Sequence, residues 1–231
     1  MQVCSGRLTE IWLENGQLAG RIACPLQPAP GQYLLAQPQD GSGEALPTVL
    51  FSGGAAADGF LAAPPLPMTW RPGSGLRLRG PLGKGFSLPE GVRRACLLAL
   101  DVTPSRLLPL AIQAFKGQAE AALLCDPRSI DLAGQRLPTA LEVDGLEALP
   151  ALLKWADFLA IDLPAARLPQ LRQLLGIRAG EGLPCAAQVL AFTPMPCAGA
   201  ADCGACAVKG RRGWRLACKD GPVFDLNDLE W

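Results

Sequence analysis

The chain contains no histidine. That absence removes Ser-His-Asp and Cys-His catalysis, imidazole-ligated zinc, a Rieske-type centre and any imidazole general base. Whatever chemistry occurs must be carried by a cofactor or by carboxylate, lysine or cysteine. Charge of either sign is not in surplus. Lys+Arg and Asp+Glu both number 21, giving a formal net charge of zero, so no long-range field draws in nucleic acid or anionic lipid. No apolar run approaches the roughly eighteen residues that span a bilayer. The stretch Met1 to Arg7 lacks the basic segment followed by an apolar one that marks a secretory leader, and a cytoplasmic location is expected.

What is present is apolar matter and cysteine. With 231 residues, 49% hydrophobic, and a mean hydropathy of +0.21, the chain is long enough for one large or two modest well-buried domains. In a reducing compartment its nine cysteines argue for metal rather than disulfides. Four of them, Cys197, Cys203, Cys206 and Cys218, follow the spacing C-x5-C-x2-C-x11-C. A [2Fe-2S] cluster needs four thiolates converging on two irons and a loop whose backbone N–H groups approach the sulfides closely. Gly199, Gly204 and the alanines at 198, 200, 201, 205 and 207 suit that approach, since bulky side chains would hold the loop away. Zinc is the rival, because a C-x2-C pair with two further cysteines also makes a tetrahedral site; a disulfide framework is the third option. Zinc ribbons pair two short knuckles, however, and Cys218 has no near partner in sequence. The other five, Cys4, Cys24, Cys96, Cys125 and Cys185, sit among mostly apolar neighbours and read as small buried hydrophobes. Lys209, Arg211, Arg212 and Arg215 beside the loop read equally as a solvated hairpin face or as a partner-docking patch.

The fourth cysteine opens the heptapeptide Cys218-Lys219-Asp220-Gly221-Pro222-Val223-Phe224. This segment resembles the C-terminal cluster domain of the electron-transfer subunit of bacterial NAD-linked dihydroorotate dehydrogenase. Pro30-Gly31-Gln32-Tyr33-Leu34-Leu35-Ala36 and Gly80-Pro81-Leu82-Gly83-Lys84-Gly85-Phe86 are similar to two further family stretches, a barrel strand and the barrel-to-domain junction. The resemblance implies an α+β multidomain protein of the ferredoxin-reductase type: an N-terminal antiparallel β-barrel, a doubly wound α/β domain and a small C-terminal [2Fe-2S] cluster domain. It further implies FAD in the barrel, and as partner a flavin-containing dihydroorotate dehydrogenase catalytic subunit in a hetero-oligomer.

Taken in order, the residues agree with that architecture. Leu8–Leu13 and Leu18–Cys24 flank Asn15-Gly16, a type I′ hairpin signal. Leu76 and Leu78 alternate with Arg77 and Arg79, the period of a half-buried strand. From about residue 92 the pattern changes. Ala95–Leu100 is a continuous apolar run fit for a parallel strand buried on both faces, and Thr103-Pro104 opens a helix predicted to reach Lys116. Further strands are predicted at 121–125, 140–143, 158–161 and 187–191, with helices near 146–155 and 165–175. The expected domains are 1–90, 91–191 and 192–231.

The chain also departs from the family it resembles. The flavin strand of such barrels reads Arg-Pro-x-Ser/Thr, whereas Leu46-Pro47-Thr48-Val49-Leu50-Phe51-Ser52 puts leucine at the arginine and valine at the hydroxyl residue. Thr48 and Ser52 are the candidate flavin hydroxyls and Arg71 the substitute charge, and weak or substoichiometric FAD is expected. In place of the family's glycine-rich turn, where a nucleotide pyrophosphate meets helix N–H groups, stands Asp101-Val102-Thr103-Pro104-Ser105-Arg106. The family's Cys-Gly-Pro turn has become Ile161-Asp162-Leu163-Pro164. The expectation is an electron-transfer subunit that does not oxidise NADH by itself. A scaffold subunit with a structural metal is the alternative, and a self-sufficient flavin reductase comes third.

Overall fold

The computed structural model describes residues 2–39, 46–126, 128, 137–178 and 181–231. Strands β1 (Gln2–Glu14), β2 (Gln17–Ala23), β3 (Tyr33–Pro38), β4 (Thr48–Ala56), β5 (Gly59–Ala62) and β6 (Gly75–Leu82) close into an antiparallel barrel in the order β1-β2-β5-β4-β3-β6. Asn15 and Gly16 take φ of 48° and 74° between β1 and β2, the pair of positive angles a type I′ turn demands. The period of two in β6 has the expected effect: Leu76 and Leu78 are fully buried with Leu8, Ile22, Leu34, Leu50 and Phe60, while Arg77 faces out.

The second sheet is built from β7 (Arg94–Ala99), β8 (Glu120–Leu124), β9 (Glu142–Asp144), β10 (Phe158–Pro164) and β11 (Ala186–Phe192). These five run parallel in the order β11-β10-β7-β8-β9. The apolar run of β7 lies in its middle with Ala95 to Ala99 all buried, as a strand covered on both faces requires. Beyond it the chain forms a two-stranded hairpin, β12 (Ala207–Gly210) and β13 (Gly213–Leu216), and then β14 (Val223–Asp225), which adds antiparallel to β11 at the sheet edge.

Helices are short, and prolines explain part of this. The helix expected over 103–116 is one 3-10 turn, Pro104–Leu107, followed by α1 (Leu108–Lys116). Pro109 falls in the first turn of α1, where its missing N–H has no partner to lose. Thr103 has extended backbone before the 3-10 turn but makes no side-chain cap. A second helix, α2 (Leu149–Trp155), follows a 3-10 turn at Leu146–Ala148. The helix expected over 165–175 is mostly a 3-10 segment, Ala165–Gln170 with Pro169 inside it, and only α3 (Leu171–Leu174) is α-helical. A single turn, α4 (Ala217–Asp220), carries the fourth cysteine of the spaced set. Among the described residues no helix is long and apolar enough to cross a membrane.

In this order the connection after β7 leads to β8 on one side while β10 lies on the other. The carboxyl ends of β7 and β10 therefore flank the topological switch point, the place where open α/β sheets bind ligands.

Candidate metal centre and the neighbouring crevice

The four spaced cysteines lie near one another as two pairs, and none of the nine forms a disulfide. Cys197 and Cys203 are within hydrogen-bond reach, one half-buried and the other exposed. Cys206 and Cys218 form the second pair, 1% and 7% exposed, with Cys197 close enough to Cys218 for their charges to interact. Among the described residues no three cysteine or acidic side chains close on one point as they would around a single ion.

The loop achieves this arrangement by unusual backbone. Ala198, Gly199, Ala201 and Gly204 have φ of 54°, 77°, 65° and 70°. For each alanine that conformation costs roughly 1–2 kcal/mol, and it turns the N–H groups of Ala201, Asp202 and Cys203 toward the sulfur of Cys197. A concavity of successive N–H groups of this kind favours negative charge. The hydrogen bond with Cys203, helped by those N–H groups, lowers Cys197 to about 6, against the opposing effect of burial. Burial, and then the hydrogen bond and charge of Cys206, push Cys218 up to about 12. The donor set thus fits an iron–sulfur cluster: four sulfurs in two pairs, small flanking residues, and N–H groups aimed at sulfur.

The loop is held by the motif segments that flank it in space. Arg79 on β6 donates from Nη2 to the Ala198 carbonyl at 2.6 Å. Tyr33, fully buried, donates to the Cys218 carbonyl at 3.2 Å. Gln32 donates to the Gly83 carbonyl at 3.1 Å, and the Phe86 N–H to the Pro30 carbonyl at 2.8 Å. Lys84 donates its N–H to Gly221 and accepts from Val223. Gly83, at φ 74°, could carry no side chain, because a β-carbon there would lie 2.6 Å from Pro222 and 2.9 Å from the Tyr33 ring. The three stretches 30–36, 80–86 and 218–224 are one joint that fixes the cysteine loop to both barrel and sheet. Arg79 is the functional residue that sequence reasoning missed; its strand alternation was legible, but its role as loop anchor depends on the packing of residue 198.

The switch-point crevice has a different character. Asp162 on β10 is fully buried and receives Nε and Nη2 of Arg106 at 2.8 and 3.1 Å. Nη1 of Arg106 donates to the Pro64 carbonyl, just past β5, at 3.2 Å. The guanidinium lies 4.3 Å from the ring centre of Phe192 and 5.7 Å from that of Phe51, whose rings meet edge to face at 6.1 Å. Burial raises the Asp162 carboxyl above its ordinary value, and the charge and hydrogen bonds of Arg106 oppose that rise. Further out, Asp101, at φ 56°, pairs with Arg167 at 2.7 Å. Among the described residues the buried Thr103 hydroxyl has no hydrogen-bond partner.

The candidate flavin residues are not brought together. Ser52 is 4% exposed and its hydroxyl bonds the backbone of Gly54, two residues on. Thr48 is half-buried at the far end of β4, paired with Ala36. Arg71 is tied to the carbonyls of Met68 and Trp70 in its own loop, at 2.6 and 2.8 Å. These residues do not fit a flavin pyrophosphate and ring.

Residues 195–230 match the family model of the iron-sulfur cluster binding domain of dihydroorotate dehydrogenase B. Among solved structures, the chain is similar to an NADH-dependent reduced ferredoxin-NADP oxidoreductase studied for flavin-based electron bifurcation, with a TM-score of 0.71 and 16% identity over 98% of this chain and 90% of that one. It is also similar to a ferredoxin reductase in carbazole 1,9a-dioxygenase, with a TM-score of 0.56 and 16% identity over 77% of this chain and 67% of that one. A ferredoxin-NADP+ reductase from Plasmodium falciparum aligns with a TM-score of 0.51 and 7% identity over 78% and 92% of the two chains. No curated protein matches the sequence. The chain therefore has the ferredoxin-reductase-like fold, with an iron–sulfur domain at its C-terminal side.

Proposed function

We propose that this chain, like the electron-transfer subunit of dihydroorotate dehydrogenase B in residues 195–230 and ferredoxin-reductase-like in fold, passes electrons through one [2Fe-2S] cluster to or from a partner flavoprotein. Cys197, Cys203, Cys206 and Cys218 are its ligands, in a cluster domain over 192–231 that follows a barrel over 1–90 and an α/β domain over 91–191. The arrangement of the cysteines as two pairs carries this reading. A dinuclear cluster takes two thiolates on each iron, whereas a structural zinc needs all four on one point.

When bound, the cluster supplies a one-electron carrier. The residues of this chain do the rest. Cys206 and Cys218 hold the inner side out of water, and Cys197 and Cys203 present the outer side to the surface. The N–H groups of residues 201–203 stabilise negative charge on sulfur, and Arg79 and Tyr33 hold the loop against the barrel.

The partner is a flavin-containing catalytic subunit of the dihydroorotate dehydrogenase type, met in the cytoplasm. The face it would use adjoins the loop. Trp214 on β13 is 71% exposed, near Lys209, Arg211 and Arg212. It lines a mostly apolar groove of about 560 Å³ with Ala205, Leu168, Phe192 and Thr193. Iron and acid-labile sulfide of protein purified without oxygen are the test: close to two of each per chain are expected from the composition of the cluster, and stoichiometric zinc without sulfide would overturn the reading.

A further inference from the structure

We infer that Arg106 and Asp162 are a built-in plug of the switch-point crevice, so that this chain takes up neither a nicotinamide dinucleotide nor FAD between its barrel and its sheet. The inference deepens the electron-transfer reading by fixing where electrons enter and leave, but it rests on different residues from the cluster.

Asp162 lies on β10 in register with Ala99 of β7, and Arg106 rises from the turn that follows β7. The pair thus occupies the crevice between the carboxyl ends of these two strands, where an open α/β sheet receives its ligand. Its side chains are 3% and 0% exposed, and Nη1 of the guanidinium donates to the carbonyl of Pro64 in the barrel wall. Phe51 of the barrel and Phe192 of the sheet cover it. A planar ring entering there would have to displace a cation that already bonds both walls and stacks between them.

Charge points the same way. A dinucleotide pyrophosphate is anionic and binds where helix N–H groups can be approached without a carboxylate in the way. Here Asp101 stands at the mouth of the crevice, held by Arg167. A cavity of about 370 Å³ above β7 and β8 is lined by Asp101 and Asp126 together with Arg128, and Arg128 is already bonded to Asp126. Among the described residues the one buried cation, Arg106, is committed to Asp162. The reductase architecture serves here as a rigid mount, and electrons reach the cysteine loop only from the outer face.

The test uses the whole chain purified without oxygen. FAD is assayed in the acid-released supernatant, and FAD, NADH and NADPH are each titrated to millimolar concentration while the unfolding temperature and tryptophan fluorescence are followed. No released FAD, no shift and no saturable quench are expected; one FAD per chain, or micromolar affinity for any of the three, would overturn the plug. The double variant Arg106→Ala/Asp162→Ala empties the crevice without stranding a buried charge. Folded by circular dichroism and with its visible spectrum intact, it should bind FAD or NADH at least tenfold more tightly than the parent. Unchanged affinity in that folded protein would show that the pair is not what excludes the dinucleotide. Should the double variant not fold, the titrations of the unaltered protein decide by themselves.

Discussion

The cysteine loop and the switch-point crevice lie close together, but they are made in opposite ways. The loop is surface chain, rich in alanine and glycine, bent through four left-handed residues and carrying sulfurs that range from buried to exposed. The depth of the crevice is interior and bulky, its buried cation bonded on three sides. Backbone strain is concentrated where a ligand is to be held. A fully buried bidentate pair serves packing instead. Under the proposed function, the crevice where open α/β sheets bind ligands serves as structure and the appended loop as the site, as expected if function resides in sites and not in folds.

The sharpest way to break the comparison is to exchange the two kinds of cysteine. Cys206→Ser should abolish the visible absorbance of the cluster and all electron transfer, because a four-thiolate site loses a ligand. Cys96→Ala, in the middle of β7 and fully buried, should keep the spectrum and cost about 1 kcal/mol through a small cavity. A colourless but folded Cys96→Ala protein would show that the spaced set is not the ligand set.

Next in size is the crevice pair. Removing one partner leaves an uncompensated buried charge, so Asp162→Ala and Arg106→Ala should each lower stability by about 3–5 kcal/mol, while the double variant loses less than the two singles together. Urea unfolding of the three proteins measures this. Additive losses would mean that the two charges do not depend on each other.

How much of this was legible follows the same division. The Asn15-Gly16 turn, the alternation in β6 and the apolar run of β7 are local signals, and each has its expected counterpart in the structure. Helix extents were less legible: a 3-10 turn precedes α1, and Pro169 falls inside the helix expected over 165–175, which is mostly 3-10. Asp101 and Asp162 could be seen to differ from a nucleotide turn, but nothing local says that Asp162 finds Arg106, 56 residues away. Nor does the heptapeptide reveal that Val223 and Phe224 pair with Leu190 and Val189 as the sheet's edge strand. Long-range pairing of that kind depends on the assembled packing and leaves no periodicity to read.

A third test uses pH. Burial, with a smaller contribution from Cys185, raises the Cys96 thiol from 9.0 to about 12, and burial raises Cys125 to about 11. A raised thiol stays protonated in the folded chain while the unfolded chain already ionises, so the stability it contributes is complete below pH 9 and is lost as pH rises toward 12. The loss is larger for Cys96 than for Cys125, because burial raises its thiol further. Denaturant unfolding between pH 8 and the alkaline limit should therefore fall less steeply in Cys96→Ala than in the parent. Parallel curves would mean that the thiol ionises as readily in the folded protein as in the unfolded one.

The smallest effect belongs to the second ion pair of the same crevice, and it sharpens the comparison most finely. Asp101 and Arg167 approach to 2.7 Å, nearly the distance of the buried pair, but their side chains are 58% and 38% exposed. Water screens such a pair, and the order in which it holds two side chains offsets much of what remains, so a contribution below about 1 kcal/mol is expected. Asp101 also sits at φ 56°, so alanine there would mix the loss of charge with backbone strain. Asparagine tolerates that conformation as aspartate does, and Asp101→Asn isolates the charge. The variant should unfold within about 1 kcal/mol of the parent, and the small difference should shrink further in high salt. A loss as large as that of Asp162→Ala would place the closure of the crevice at its mouth, in the Asp101–Arg167 contact, and not in the buried pair beneath it.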